Sequence, residues 1–235
     1  MFTHIVQRYE WFDHVASLGN DYLWRPRALW DLDRFRSMRP VRAALDLGCG
    51  TGELARLVAR HYPEVRVVAV DFTPAMVARA RELSERRESG ERVRTEFARA
   101  TALRLPFGDG SFDLVTNAFL ARNLTDLPGA LGEMRRVLRP GGVLLTLEIT
   151  EPVSPAFARL FHAYFDRVVP WLGAAVHSAG PYRYLPESLR TLPSRSEFLQ
   201  DLTDAGFSRV TALPQSLGIV TTFLGEVFSS SGQSR

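Results

Sequence analysis

Ten residues restrict the fold of this chain more than any others: Ala43-Ala44-Leu45-Asp46-Leu47-Gly48-Cys49-Gly50-Thr51-Gly52. An apolar, strand-like run carries an acid near its end. Glycines follow at every second position, and a helical pattern begins near Glu53. Glycine adopts backbone angles closed to other residues and lets a ligand approach the main chain closely. A strand, such a turn and a helix together build a nucleotide-type pocket at the carboxyl edge of a parallel sheet. The spacing G-x-G-x-G is one residue tighter than the dinucleotide fingerprint. Asp46 would repel an anionic diphosphate there and would welcome a cationic amino group. Three glycines also suit an ordinary strand-to-helix turn, so a second feature has to decide.

That feature is Asp71. The β-branched run Val65-Arg66-Val67-Val68-Ala69-Val70 ends on it, 21 positions after Gly50. This is the interval expected for an acid that binds ribose hydroxyls, where one carboxylate accepts two hydrogen bonds. Glycine turn and acid together point to a nucleoside ligand.

The remaining pattern alternates. Strands are expected at 43–47, 65–70, 92–97, 112–117 and 143–148, with helices between them, and two closing strands at 207–213 and 217–224. Such alternation implies a mostly parallel sheet covered on both faces. Helical spacing also appears over residues 2–18 and from Tyr22 to Arg36, the latter interrupted by Pro26. Phe157, Leu160, Phe161, Tyr164, Phe165, Val168, Val169 and Leu172 give one helix a wide apolar face. Pro140-Gly141-Gly142 is expected to stop the helix that carries Leu127, Leu131, Met134 and Leu138.

Composition excludes several chemistries. All 29 basic residues are arginine, which removes Schiff-base and catalytic-lysine mechanisms. The five histidines are dispersed, and the one cysteine, Cys49, builds neither a disulfide nor a multi-cysteine metal site. No metal is expected. Net charge is +3, with no aromatic-interleaved basic stripe for nucleic acid. No apolar run is long enough to span a bilayer, and no signal peptide opens the chain. A cytoplasmic protein is expected. Arg122, beside Asn123 after the fourth strand, stands at the carboxyl edge, where a fixed cation could stabilise a phenolate.

The chain resembles the ubiquinone/menaquinone biosynthesis C-methyltransferases, the UbiE/MenG family, from about Phe2 to Gly225. The resemblance rests on Arg8-Tyr9, Ser17-Leu18-Gly19, Trp24-Arg25, the glycine turn, and Asp71-Phe72-Thr73-Pro74-Ala75-Met76. It continues through Leu105-Pro106-Phe107, the block from Phe112 to Phe119, Arg122-Asn123-Leu124-Thr125-Asp126 and the block from Glu133 to Gly142. Leu147-Glu148, Tyr184-Leu185-Pro186-Glu187-Ser188 and Ala205-Gly206-Phe207 complete it. The Arg-Asn-Leu-Thr-Asp and Tyr-Leu-Pro-Glu-Ser blocks are the most particular to that family.

The resemblance implies an α/β, Rossmann-like class I methyltransferase with a seven-stranded, mostly parallel sheet. It implies a single domain over 1–235: a helical cover (1–40), a cofactor-binding half (41–151), an inserted helical lid (152–194), and a closing helix and strands (195–228). The cofactor implied is S-adenosylmethionine, leaving as S-adenosylhomocysteine. It would be held by Asp46, Gly48, Gly50, Gly52, Asp71, Phe72, Met76, Thr101, Ala102 and Asn117. Catalysis would fall to Arg122, Asn123 and Asn117. The acceptor, a lipid-tailed quinol, would lie against Tyr9, Asp13, Trp24, Arg122, Tyr182, Tyr184 and Phe223. Contact with the inner face of a membrane and a homodimer are compatible with this. Leu120 and Phe223 depart from the family pattern. They keep open a secondary-metabolite phenol as acceptor and, further off, an inactive scaffold of a quinone-synthesis complex.

Overall fold

The computed structural model describes residues 21–36, 39–87, 95–154, 157–159, 163 and 193–228. The helix expected over 2–18 and nearly all of the expected lid lie outside these residues. Helices are α1 (Asp21–Phe35), α2 (Glu53–His61), α3 (Pro74–Arg87), α4 (Leu127–Val137) and α5 (Arg195–Asp204). Strands are β1 (Ala43–Leu47), β2 (Arg66–Asp71), β3 (Thr95–Arg99), β4 (Phe112–Ala118), β5 (Leu138–Ile149), β6 (Phe207–Gln215) and β7 (Val220–Val227).

One sheet takes all seven strands in the order β3-β2-β1-β4-β5-β7-β6. The pairs from β3 across to β5 are parallel, whereas β7 runs antiparallel to both β5 and β6. After β1 the chain first adds strands on one side, then returns to β1 with β4. The crevice between β1 and β4 is therefore the topological switch point, where ligands bind in open α/β sheets.

Each face of the sheet is covered. On one, Leu29 and Leu32 of α1, Leu54 and Val58 of α2, and Val77 and Ala80 of α3 pack on alternate strand residues such as Ala44 and Val67. On the other, Leu131 and Met134 of α4 and Phe198 and Leu202 of α5 cover Leu45, Leu47, Val115 and Leu144. The period-two alternation of each strand sends neighbouring residues to opposite cores.

Two local expectations change. Pro26 does not interrupt α1. It lies only five residues from the start of the helix, so the backbone hydrogen bond it forgoes is one of the first turn, where the loss costs least. Nor is Pro140-Gly141-Gly142 a stop between elements. The helix ends at Val137, and the glycines lie inside β5, where pairing with β4 jumps from Phe112–Leu138 to Leu114–Val143. The jump is a bulge. A Cβ at Gly142 would lie 2.9 Å from the Arg139 carbonyl oxygen, so the bulge closes only around glycine.

Candidate active site

At the switch point the glycine turn leaves β1 with Gly48, Gly50 and Gly52 at φ of 66°, 53° and 82°. All three lie in the left-handed region, which side chains disfavour. Two positions are also crowded: a Cβ at Gly48 would meet Leu120 at 2.7 Å, and one at Gly52 would meet Phe97 at 2.6 Å. Nothing stands within 4 Å of a Cβ built at Gly50, so the main chain is open there.

Two carboxylates flank the turn. Asp71, ending β2, accepts from Gly50 N at 2.9 Å through Oδ2 and from Thr73 N at 2.8 Å through Oδ1. Each oxygen keeps further lone-pair capacity, so the group that fixes the turn can still receive hydroxyl donors. Asp46 is 1% exposed. Its Oδ1 accepts from Thr116 Oγ1 at 2.7 Å, and Oδ2 has no hydrogen-bond partner. Burial pushes its pKa up to about 7, against the pull of Thr116, Arg25 and the Ala55 N–H. A buried carboxyl with an unused oxygen is suited to a cation.

Below the turn, the buried Arg56 donates from Nη1 to the Thr51 carbonyl at 2.8 Å. Above it, Arg25 of α1 pairs with Glu53 at 3.2 Å, tying α1 to the residue that follows Gly52. Trp24 donates from Nε1 to Ser216 Oγ at 2.8 Å and meets Phe119 edge-on, with ring centroids 6.2 Å apart.

Phe119 is the hub of the edge. Its φ is 58°, unusual for a bulky residue and a mark of stored strain. The Arg25 and Arg122 guanidinium carbons stand 5.6 and 5.5 Å from its ring centroid, within cation–π range. Arg122 donates from Nη1 to Glu148 Oε1 at 2.7 Å, and both side chains are buried. Glu148 is the penultimate residue of β5 and also accepts from Ile149 N at 3.0 Å.

Several expected site residues occupy this edge: Asp46, the three glycines, Asp71, Trp24 and Arg122. Phe72 is exposed at the rim, with Arg99 5.3 Å from its ring centroid. Met76 is buried in the first turn of α3. Thr101 forms a bridge with Arg104, and Ala102 beside it is buried.

Two expectations need correction. Asn117 neighbours Thr116 on β4 and so points to the opposite face. There its Nδ2 donates to Thr146 Oγ1 at 2.9 Å beneath Met134, buried under α4 rather than in the crevice. Phe223 is buried and packs on Phe198 at 4.4 Å, so it is core and not an acceptor contact. Asn123 is exposed at the edge beside Arg122, where its Nδ2 donates to the Phe119 carbonyl at 3.1 Å and braces that turn. Tyr9, Asp13, Tyr182 and Tyr184 lie outside the described residues.

Sequence reasoning missed Arg25, Arg56, Thr116, Phe119 and Glu148 as parts of the site. Glu148 had a signal, since it lies near the end of a strand at the carboxyl edge. Phe119 had none.

The residues present fit S-adenosylmethionine. The unused Asp46 oxygen would face its ammonium, the open main chain at Gly50 its amino-acid portion, and Asp71 its ribose. No group of three or more metal-ligating side chains occurs among the described residues.

Comparison with known proteins agrees. The model of the ubiE/COQ5 methyltransferase family matches residues 1–226. The demethylmenaquinone methyltransferase of Thermus thermophilus is 44% identical over 88% of this chain and 91% of its own length. That of Deinococcus radiodurans is 38% identical over 96% and 90%. The ubiquinone/menaquinone biosynthesis C-methyltransferase UbiE of Geobacter sulfurreducens is 37% identical over 96% and 86%. Among solved structures, a SAM-dependent methyltransferase of Thermotoga maritima, titled a possible histamine N-methyltransferase, superposes with a TM-score of 0.65 at 20% identity. It covers 96% of this chain and 97% of that one. One from Aquifex aeolicus reaches 0.61 at 20% identity, covering 85% and 89%. These structures share the fold. The chain belongs to the ubiE/COQ5 methyltransferase family and is an S-adenosylmethionine-dependent methyltransferase.

Proposed function

We propose that the chain methylates a ring carbon of demethylmenaquinol or a closely related polyprenyl hydroquinone. The observation that carries this reading is the buried Arg122–Glu148 pair, set at the same sheet edge as the cofactor cradle. S-adenosylmethionine supplies an electrophilic methyl group when bound. The protein's share is to make a ring carbon nucleophilic and to keep water out.

A phenol becomes electron-rich at its ring carbons as its proton leaves. The Arg122 guanidinium is a fixed cation for the oxygen that then carries charge, and a preorganised charge in a dry site acts strongly. Glu148 holds that guanidinium in one orientation, and its Oε2 has no hydrogen-bond partner. Trp24 and Phe119 wall the edge with aromatic surface. The names of the Thermus and Deinococcus relatives favour the menaquinol series. Among the described residues no helix is long and apolar enough to cross a membrane, so a lipid-tailed acceptor would be met at a bilayer surface.

A second reading, a secondary-metabolite phenol as acceptor, keeps one observation. Leu120 lies against Gly48 and narrows the space above the turn. Phe223 no longer supports it, being core.

The test is incubation with labelled methyl donor and short-tail demethylmenaquinol. A ring-methylated quinol is expected. Methyl transfer to simple phenols with none to the quinol would overturn the reading.

A further inference from the structure

Helix α1 has an outer face that the site leaves unused. Leu23, Arg27, Trp30 and Arg34 fall at i, i+4, i+7 and i+11, which places them in one line on a helix. The line is about 16 Å long at the helical rise per residue. All four are exposed, Leu23 by 67% and Trp30 by 45%. The same helix buries Trp24, Ala28, Leu29 and Leu32 on its other side, so packing does not explain an outward tryptophan.

Trp30 is flanked by two guanidinium groups, Arg27 at 4.2 Å and Arg34 at 4.6 Å from its ring centroid. No acid stands in the line. Asp31, nearby, is buried and paired with Arg27 at 3.2 Å. Asp33 is turned to His61, Tyr62 and Arg36.

We propose that this line docks the protein on an anionic bilayer surface. Tryptophan is the side chain that settles at the headgroup level, an exposed leucine can enter the acyl boundary, and arginines are drawn to anionic headgroups. The direction of the helix gives the docking a purpose. Leu23 is followed by Trp24 and Arg25, which reach Ser216, Phe119 and Glu53 at the site. Val153 and Leu217, both strongly exposed, pair through their main chains at that same end. A bilayer on this face would lie beside the mouth of the crevice. The docking rests on the proposed lipid-tailed acceptor for its purpose, but not for its chemistry.

The experiment is co-sedimentation of the whole protein with vesicles of phosphatidylcholine alone and of phosphatidylcholine with phosphatidylglycerol. It compares the wild type with Arg34→Glu and with Trp30→Ser/Arg34→Glu. Arg27 is left intact because it pairs directly with the buried Asp31. Binding is expected only to the anionic vesicles and should weaken at high salt as charges are screened. Arg34→Glu should lower partition by at least about fivefold, and the double variant further. Thermal melting is read alongside and should show only a small loss: both side chains are exposed, but Arg34 lies in the last turn of α1, where a cation is favoured, and its charge also acts on the buried Asp31. Equal partition of wild type and double variant, equal binding to both vesicle types, or no binding to either would overturn the docking surface.

Turnover of a short-tail, water-soluble quinol separates the two claims. Wild type that binds anionic vesicles but methylates no quinol loses the acceptor and keeps the surface. Variants that turn over the soluble quinol normally and still partition like wild type lose the surface and keep the acceptor.

Discussion

Asp46 and Glu148 are both buried carboxyls with one oxygen lacking a hydrogen bond, but their neighbours differ. Glu148 has a guanidinium at 2.7 Å, whereas Asp46 has a threonine hydroxyl. Burial therefore dominates at Asp46 and lifts its pKa from 3.8 to about 7. Between those two values the folded chain holds a proton that the unfolded chain has released. This contribution to stability accordingly falls as pH rises from about 4 to about 7 and is flat above. Binding a cationic ammonium favours the ionised form, so it should release a proton. Affinity for S-adenosylhomocysteine should therefore climb with pH, by up to about tenfold per unit well below 7, more gently as 7 is approached, and level off above it. Calorimetric titration across this range checks the slope, and Asp46→Asn should bind weakly with no slope. At Arg122 the expectation is different. Arg122→Gln leaves a buried carboxylate unpaired, costing about 3 kcal/mol of stability, and should slow quinol methylation about a hundredfold. Cofactor affinity is expected to fall much less than turnover, because the Arg122 guanidinium is directed to Glu148 and the Phe119 ring. Unchanged quinol turnover in a melting-checked sample would remove Arg122 from the chemistry.

At the level of single elements, side-chain caps fix where two of the helices start. Ser194 caps α5 in a reciprocal box with Glu197, and Asp126 caps α4 through Gly129 N at 2.9 Å. Ser194→Ala should cost about 1 kcal/mol, seen as a lower denaturation midpoint with unchanged slope. Residues 105–109 had no regular pattern in the sequence, and side chains hold them instead. Arg136 donates to the carbonyls of Phe107 (2.8 Å) and Leu105 (3.2 Å) while bound to Glu133 and Asp109. Such a connector is invisible to periodicity, because one side chain from a distant helix defines it. Pro26 and Pro140-Gly141-Gly142 misled for a related reason. Both signal local breakage, but α1 could forgo one backbone hydrogen bond in its first turn, and β5 could absorb its glycines as a bulge.

For the molecule as a whole, the sheet, its switch point and the cofactor cradle were legible, because alternating strands, a glycine turn and a spaced acid are local signals. Which way each side chain faced was less so. Asn117 and Phe223 were placed at the site by position along the chain, yet a single step on a strand exchanges crevice for core, as Thr116 and Asn117 show. The edge built by Arg25, Phe119, Arg122 and Glu148 joins α1, the β4 exit and β5, and no spacing rule links those segments. The order of the strands has one more consequence. β7 lies between β5 and β6 although it comes last of the described strands, so until it is synthesised the edge of β5 is open and β6 has no partner among them. A nascent chain stopped before Val220 would carry the entire cofactor cradle and an unfinished sheet. The danger during synthesis is then edge-to-edge association of such intermediates, and the closing hairpin protects the enzyme's solubility as well as its shape.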